Sequence, residues 1–341
     1  MDEPSATMNP ETKTETKAAT KAAIRRVLQE SEAGAPAVGS TVRDRFATDE
    51  IYRRVVAYGD YELSTETREL VASGVAGGFA IAITFLLYAS MTGLTDGTPI
   101  LSELLYPLGF MYIILGGYQL YTENTLPPVA LVLERLASLP ALLRVFGLVL
   151  LGNVLGAAVG AIILAYTGVF SPEAAQAAVE IGETGVATPW WDLFFKAIFA
   201  GLIVAGVVWM DFAAGDTISR LVLIYLAFLA IPLAGLYHVV VSATELMFLA
   251  MTTEYSLLVG LWEFLLPVLL GNTLGGILLV TVVNYFQTGK RRLEGVRDPD
   301  AEEPLSWAEW FLGPLAGRSY VPPARAIDDA TEENGSSEPS T

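Results

Sequence analysis

The sequence predicts an all-α membrane protein, and three observations lead to that fold class. Of the 341 residues, 53% are hydrophobic and only 17% are charged, a balance typical of membrane proteins. The apolar residues are gathered in blocks instead of being spread at amphipathic spacing. Several blocks reach the roughly 20 residues that a helix needs to cross a ~30 Å hydrocarbon layer.

Six membrane-spanning helices are predicted from these blocks. Their approximate limits are Leu70 to Met91, Leu101 to Leu120, Leu142 to Tyr166, Leu193 to Met210, Ile218 to Val241 and Leu257 to Tyr285. The first block begins about 70 residues into the chain and is not followed by a small-residue cleavage site, so it is not interpreted as a signal peptide.

Basic residues between the blocks predict the direction of insertion. They occur before the first span, between the second and third, between the fourth and fifth, and after the sixth: Arg43, Arg45, Arg53, Arg54, Arg68, Arg135, Arg144, Arg220, Lys290, Arg291 and Arg292. The other three connections, 92–99, 167–191 and 253–262, contain no Lys or Arg. By the positive-inside rule, both termini are therefore predicted to be cytoplasmic. The regular alternation also supports the count of six spans.

The two ends of the chain are predicted to lie outside the membrane domain, which covers residues 68–288. Residues 1–67 form a tail with an amphipathic helix within Arg45–Ser64, which we expect to lie along the cytoplasmic surface. Residues 289–341 form an acidic tail whose segment Pro304–Gly317 is apolar enough to dock. The chain has a net charge of −17, and acidic runs in the tails contribute to it. Such acidity suits a high-salt cytoplasm, where repulsion is screened, so a halophilic source is an open alternative.

An internal repeat divides the membrane domain into halves of about 68–167 and 190–287. Tyr118 and Tyr237 stand 119 positions apart in similar motifs, and at the same separation LGNVLGA, from Leu151, matches LGNTLGG, from Leu270. Because each half holds three predicted spans, the halves must run in opposite directions. This predicts an inverted repeat with the functional site between the halves near the middle of the membrane.

Polar residues and prolines interrupt the second and fifth predicted spans at corresponding places. The stretch LYTENTLPPV, Leu120–Val129, includes Pro127 and Pro128, which prevent the second span from continuing as a regular helix. Irregular backbone at membrane depth is tolerated where protein buries it or where it lines a cavity. Both spans are therefore predicted to be broken helices that build the site. The alternative is that LYTENTLPPV is only the cytoplasmic end of the second span.

These motifs together resemble the formate/nitrite transporter family. The resemblance covers about Leu63 to Gln287 and depends on LYTENT, GNVLGA, LYHVVVSATELMFL and LLPVLLGNTLGGILLV. It is nearest to a less characterised branch of the family in which Glu follows the Thr of the loop. The resemblance implies an aquaporin-like fold, a homopentamer with one pore in each protomer, and passage of small weak-acid anions such as formate and nitrite, with proton coupling in many members.

The same resemblance assigns roles to individual residues. His238 matches the central histidine and Thr122 the loop threonine that approaches it, while Lys196 matches a basic residue near the outer mouth. Leu120 and Tyr121 match the apolar pair that narrows the pore, and Phe79 is expected to join them. Asn124, Asn153 and Asn272 are interpreted as structural residues of the loop and the helix contacts, and Lys196 could equally be a lysine that reaches the membrane surface.

His238 is the only histidine and lies within a predicted span. It could be a buried imidazole bonded to a carbonyl group, but an ionisable residue in a span indicates function by default. Entering an apolar constriction costs a bare anion roughly tens of kcal/mol of hydration free energy, whereas a neutral acid loses only a few kcal/mol. Imidazole exchanges protons near neutral pH, so His238 is the predicted proton-exchange residue.

Glu123 and Glu245 do not fit a simple anion path, because an ionised carboxylate would repel an anion there. They are placed in the substrate path as protonated or paired acids. Two alternatives follow: a pore for a small neutral solute or a cation, or a membrane scaffold that conducts nothing. No nucleophile elbow, metal-ligand set or phosphate-binding loop is present, so neither an enzyme nor a metal or cofactor is predicted. The predicted partners are a small anion, the lipid of the cell membrane and further copies of the chain, with no nucleic acid.

Overall fold

The structure is a computed structural model that describes residue 46, residues 48–288 and residues 303–321. The regular secondary structure of the described part is all helical, and its only β-type pairing is an isolated bridge between Ala137 and Tyr320. Most of the two tails, including Arg43, Arg45 and the basic run after the sixth span, lies outside the described residues. The helices are α1 Thr48–Ser64, α2 Thr67–Leu94, α3 Leu108–Gly116, α4 Pro127–Leu133, α5 Leu139–Tyr166, α6 Pro172–Ala187, α7 Trp190–Ala213, α8 Thr217–Leu233, α9 Val239–Thr252, α10 Leu257–Thr288 and α11 Trp307–Leu312.

Four helices, α2, α5, α7 and α10, are long and apolar enough to cross a membrane. They correspond to the first, third, fourth and sixth predicted spans. Helix α10 includes two stretches of wider π-helix, Leu261–Leu265 and Ile277–Val282. Because these four helices are apolar and long enough to cross the hydrocarbon layer, the chain is a helical membrane protein that crosses the bilayer several times.

The second and fifth predicted spans consist of shorter helices. Within the second, α3 has 9 residues, and the chain before it, from Leu101, is in turns rather than in the predicted helix. Nine residues of helix extend only about 14 Å, about half of the hydrocarbon layer. Within the fifth, α8 ends at Leu233 and α9 begins at Val239.

Two helix pairs, α2 with α5 and α7 with α10, pack with their backbones very close together. A Cβ atom on Gly78 of α2 would overlap the carbonyl group of Asn153 on α5. In the other pair, a Cβ atom on Gly201 of α7 would overlap the carbonyl group of Asn272 on α10. The small residues of the two LGNxLG motifs therefore serve close helix contact, and they do so in the same way in each half.

Helix α6, Pro172–Ala187, lies in a connection that the sequence analysis treated as a loop. The Ser171 hydroxyl accepts a hydrogen bond from the Ala174 N–H at 3.2 Å, and Pro172 occupies the first helical position. Both are standard signals for the start of a helix. Its one-sided pattern of alanines packs against the membrane helices, which explains why no long apolar block marks it.

Both flanking segments dock on α4 and the residues just after it. Helix α1 packs along α4: a Cβ atom on Gly59 would overlap the Pro127 carbonyl oxygen. This contact buries the apolar side of α1 against protein rather than leaving it open to the membrane surface. The C-terminal segment 303–321 pairs with the chain after α4, where the Leu305 N–H donates to the Arg135 carbonyl and the Trp310 indole N–H donates to the Val132 carbonyl, at 2.9 and 2.8 Å.

Candidate functional site

The helix interruption after α3 is produced by glycine at one end and proline at the other. Gly117 has a φ of +69°, the left-handed conformation that ends helices and favours glycine. The chain then runs without helix to a 3-10 turn at Glu123–Thr125, and Pro127 and Pro128 begin α4. Gly235, with a φ of +61°, plays the same part after α8, and His238 directly precedes α9.

Asn153 and Asn272 hold the two interruptions through the same hydrogen bonds. The Asn153 side chain accepts from the Tyr121 N–H at 2.8 Å and donates to the carbonyl groups of Gly74 and Gln119. Because irregular backbone inside a membrane finds no water, these bonds satisfy groups that the interruption frees.

The second interruption has the matching arrangement. The Asn272 side chain accepts from the Val239 N–H at 2.8 Å and donates to the carbonyl groups of Ala197 and Tyr237. Each asparagine therefore joins one long helix to another and fixes the loop between two short helices. Both side chains are fully buried.

His238 and Thr122 bring the two interruptions together. The Thr122 hydroxyl lies 2.8 Å from His238 Nε2, and each residue is 1% exposed. The imidazole edge meets the face of Phe110 at a ring-centroid distance of 4.9 Å, and Phe110 stacks on Phe228 at 3.9 Å. His238 Nδ1 has no hydrogen-bond partner among the described residues. The imidazole therefore packs against one aromatic ring and contacts a hydroxyl group through Nε2.

A cavity of about 320 Å³ opens on the α6 side of this contact. Its lining residues are Tyr88, Thr92, Tyr106, Ala177, Glu180, Ile181, Thr184, Pro232, Gly235, Leu236, Tyr237, His238, Val241, Ser242 and Glu245. Two of them carry a carboxyl group, and none is Lys or Arg. Ser242 and Glu245 lie on α9 one and two turns beyond His238, at 1% and 6% exposure.

A second group of polar residues lies on the opposite side, between α1 and the turn before α4. Glu62 of α1 is 2% exposed and Glu123 is close enough for the two charges to interact. The Asn124 amide donates to Gln119 Oε1 at 2.9 Å, and turning that amide over would place its nitrogen 3.1 Å from Glu62 Oε1. Burial raises the pKa of the Glu62 carboxyl to about 8. One oxygen of each carboxyl group has no partner in the part of the chain that the structure describes.

Comparison with known proteins identifies the family. The model of a family described as formate/nitrite transporter matches residues 49–286. The chain belongs to the formate/nitrite transporter family. It is 30% identical over 264 residues to the inner membrane protein YfdC of Escherichia coli, covering 76% of this chain and 84% of that protein. It is also 24% identical to the formate channel FocA of Haemophilus influenzae, covering 63% of this chain and 85% of FocA.

Two solved structures share the fold. One, described as an FNT family ion channel, is 19% identical with a TM-score of 0.63 and covers 70% of this chain and 98% of its own. The other, a pentameric formate channel with formate bound, is 20% identical with a TM-score of 0.55 and covers 65% and 97%.

The remaining predicted site residues lie in different places. Leu120 and Tyr121 are buried beside the Thr122 contact, and the Tyr121 hydroxyl lies 2.7 Å from the Thr273 hydroxyl. Phe79 does not join them: it is 42% exposed and lies in a surface groove with residues such as Gly160, because it faces outward on α2. The placement of Phe79 at the constriction is therefore corrected.

Lys196 does not line the cavity. Its ammonium group lies 5.7 Å from the centroid of the Tyr237 ring and near Gly235, two residues that do line the cavity. Two further residues of the site, Glu62 and Phe110, were not predicted from the sequence and lie outside the repeated motifs. For Glu62 a signal was present, since it is a charged residue on the apolar stripe of α1.

Proposed function

We propose that the chain forms a channel or transporter for small monovalent weak-acid anions such as formate or nitrite, with proton coupling through His238. The observation that carries this proposal is the buried contact between His238 Nε2 and the Thr122 hydroxyl, where the two helix interruptions meet. The named functions of the relatives, a formate channel among them, support the same substrate class.

The physical requirement for proton exchange follows from the burial of this contact. Leu120, Phe110 and Phe228, each 0% exposed, surround the polar pair with apolar groups. A bare anion would lose its hydration there, at a free-energy cost on the order of tens of kcal/mol. A neutral acid loses far less. An imidazole held by a hydroxyl can exchange a proton with the passing molecule and return to its starting tautomer.

The proposal includes an architecture of six spans in two inverted repeats, with the second and fifth spans broken. The matched hydrogen bonds of Asn153 and Asn272 support it, because duplicated sequence motifs make the same contacts in each half. A homopentamer in the cell membrane, with both termini cytoplasmic and one pore in each protomer, completes the proposal. The pentameric relative and the alternation of basic connections support this arrangement.

One observation favours a second candidate, a pore for a small cation or a neutral solute. The residues that line the cavity include the carboxyl groups of Glu180 and Glu245 and no Lys or Arg, and Glu62 and Glu123 lie on the opposite side. Ionised, these groups would attract cations and repel anions. The anion proposal therefore requires that the buried carboxyl groups pass their protons to the substrate or keep them.

A flux panel separates the two candidates. Purified protein in proteoliposomes is given formate, nitrite, ammonium or glycerol at the same concentration, and uptake is compared with that of protein-free vesicles. The anion proposal predicts saturable uptake of formate or nitrite that rises as the external pH falls. Uptake of ammonium or glycerol with no uptake of either anion would overturn it.

A further inference from the structure

We propose that Glu245 donates a proton to the anion in the cavity on the α6 side, at a subsite completed by Ser242 and His238. This inference rests on the proposed function and extends it, since it names where the proton comes from. It concerns the part of the path before the contact between His238 and Thr122.

The three side chains form a row along the start of α9, with His238 at the residue before the helix. Positions 238, 242 and 245 are spaced by four and three residues, so their side chains lie one above another along the helix start. All three line the same cavity and are at least nine-tenths buried, with exposures of 1%, 1% and 6%. The row leads from the cavity down to the imidazole.

Apart from His238 Nε2, which contacts Thr122, the polar side-chain atoms of this row have no partner among the described residues. His238 Nδ1 and Ser242 Oγ are buried and make no hydrogen bond to any described residue. The Glu245 carboxyl likewise forms no hydrogen bond or ion pair with the described residues. Because a buried polar atom left unbonded is costly, the arrangement fits a small ligand with two oxygen atoms better than an empty cavity.

Glu245 shares the cavity with five other titratable groups. They are Tyr88 from α2, Tyr106 from the turn before α3, Glu180 from α6, and Tyr237 and His238 from the segment before α9. Helices α5 and α10 contribute no charged group to the cavity lining. None of the facing groups is a permanent cation.

An arriving anion brings a second negative charge close to the Glu245 carboxyl group. Two carboxylates at close range cannot both stay ionised, so one proton is held between Glu245 and a bound formate. Proton transfer then breaks the O–H bond of the Glu245 carboxylic acid and forms the O–H bond of formic acid. The neutral acid moves on to His238, which exchanges protons with it at the constriction, and Glu245 regains its proton from the outer solution. Each cycle carries one proton with one anion.

Glu245→Gln tests this step, because it keeps the size and hydrogen bonding of the side chain but removes the transferable proton. Formate uptake by proteoliposomes is measured over an external pH range of about 5 to 8, which spans the range where carboxyl and imidazole groups with shifted pKa values titrate. Wild-type uptake rises as the pH falls. The variant is expected to be roughly tenfold to hundredfold slower at low pH and nearly independent of pH, as for loss of a general acid.

Glu183→Gln is the matched control, since Glu183 lies on α6 beside the cavity but is exposed and is not among the residues that line it. It removes the same charge and should keep the wild-type pH profile. An E245Q profile with the wild-type shape and rate would overturn the inference while leaving the proposed function intact. No uptake of formate or nitrite by the wild-type protein would overturn both.

Glu245→Asp keeps the test decisive if E245Q does not assemble. A shorter acid in the same place should retain the pH dependence with a lower maximal rate. Loss of the pH dependence in E245D, with its assembly intact by size-exclusion chromatography, would contradict the proposal. Ser242→Ala should raise the formate concentration needed for half-maximal uptake and leave the pH dependence unchanged.

Discussion

At the scale of single residues, two asparagines replace the water that a broken membrane helix lacks. Asn153 and Asn272 each satisfy one backbone N–H group and two carbonyl groups. The duplicated LGNxLG motif predicted a structural role for both residues. Their exact partners could not be predicted, because the bonds join positions far apart in the chain whose separation depends on how the helices pack.

We predict that Asn153→Ala and Asn272→Ala each destabilise the protein by about 3 kcal/mol, because each leaves buried backbone groups unbonded. Thermal unfolding in detergent measures the loss. Asn284→Ala is the control, since Asn284 lies near the end of α10 and its side chain makes no hydrogen bond to the described residues. Equal melting temperatures for all three variants would show that the asparagine bonds do not support the interruptions.

The surroundings of single residues in the sequence explain which site residues could be predicted. His238 and Thr122 stood out because each is polar within an apolar block. Phe79 was misplaced because the resemblance gives a position in the chain but not the direction in which a side chain points from α2. Glu62 was missed because it lies outside the repeated motifs and reaches the site only through the docking of α1.

At the scale of elements, the four long helices followed directly from the length of the apolar blocks. The short elements did not. Helix α6 is too polar for a membrane signal. Segment 303–321 docks through backbone hydrogen bonds to the connection after α4, and in α1 the Tyr52 hydroxyl donates to Glu134 at 3.1 Å. Both segments contact α4 or the residues just after it, so they hold the α4 end of the interrupted second span.

The docking of α1 should depend on pH through Glu62. Burial raises the pKa of its carboxyl group from 4.5 to about 8, so the docked state favours the protonated acid. The docking contribution is therefore fully present below the usual glutamate pKa and is lost as the pH rises through about 8. Hydrogen exchange of α1, corrected for the intrinsic pH effect, should become faster between these limits.

Glu62→Gln removes the titrating group and should leave the exchange of α1 nearly independent of pH. Glu50→Gln, on the exposed side of α1, should behave like the wild-type protein. If the wild-type helix exchanged equally slowly at pH values well below and well above 8, the buried carboxyl would not control docking.

At the scale of the whole molecule, the sequence and the structure describe a helical membrane protein of the formate/nitrite transporter family. Large apolar side chains such as Leu143, Phe199 and Leu226 are exposed on the outer faces of α5, α7 and α8, as lipid or a neighbouring protomer requires. The fold was therefore predictable from composition and repeats. The substrate could not be predicted, because the buried carboxyl groups of Glu62 and Glu245 alter the electrostatics of the site in a way that membership of the family does not specify.

The central claim is that a proton accompanies the anion past His238. Simultaneous recording of formate and proton uptake in proteoliposomes tests it, with His238→Asn as the variant. Asparagine is well suited to the position before α9, so the helix start is preserved. The account predicts coupled uptake by the wild-type protein and, in H238N, uptake on the order of a hundredfold slower with no coupled proton movement. An unchanged ratio of protons to formate in H238N, at an unchanged rate, would contradict it.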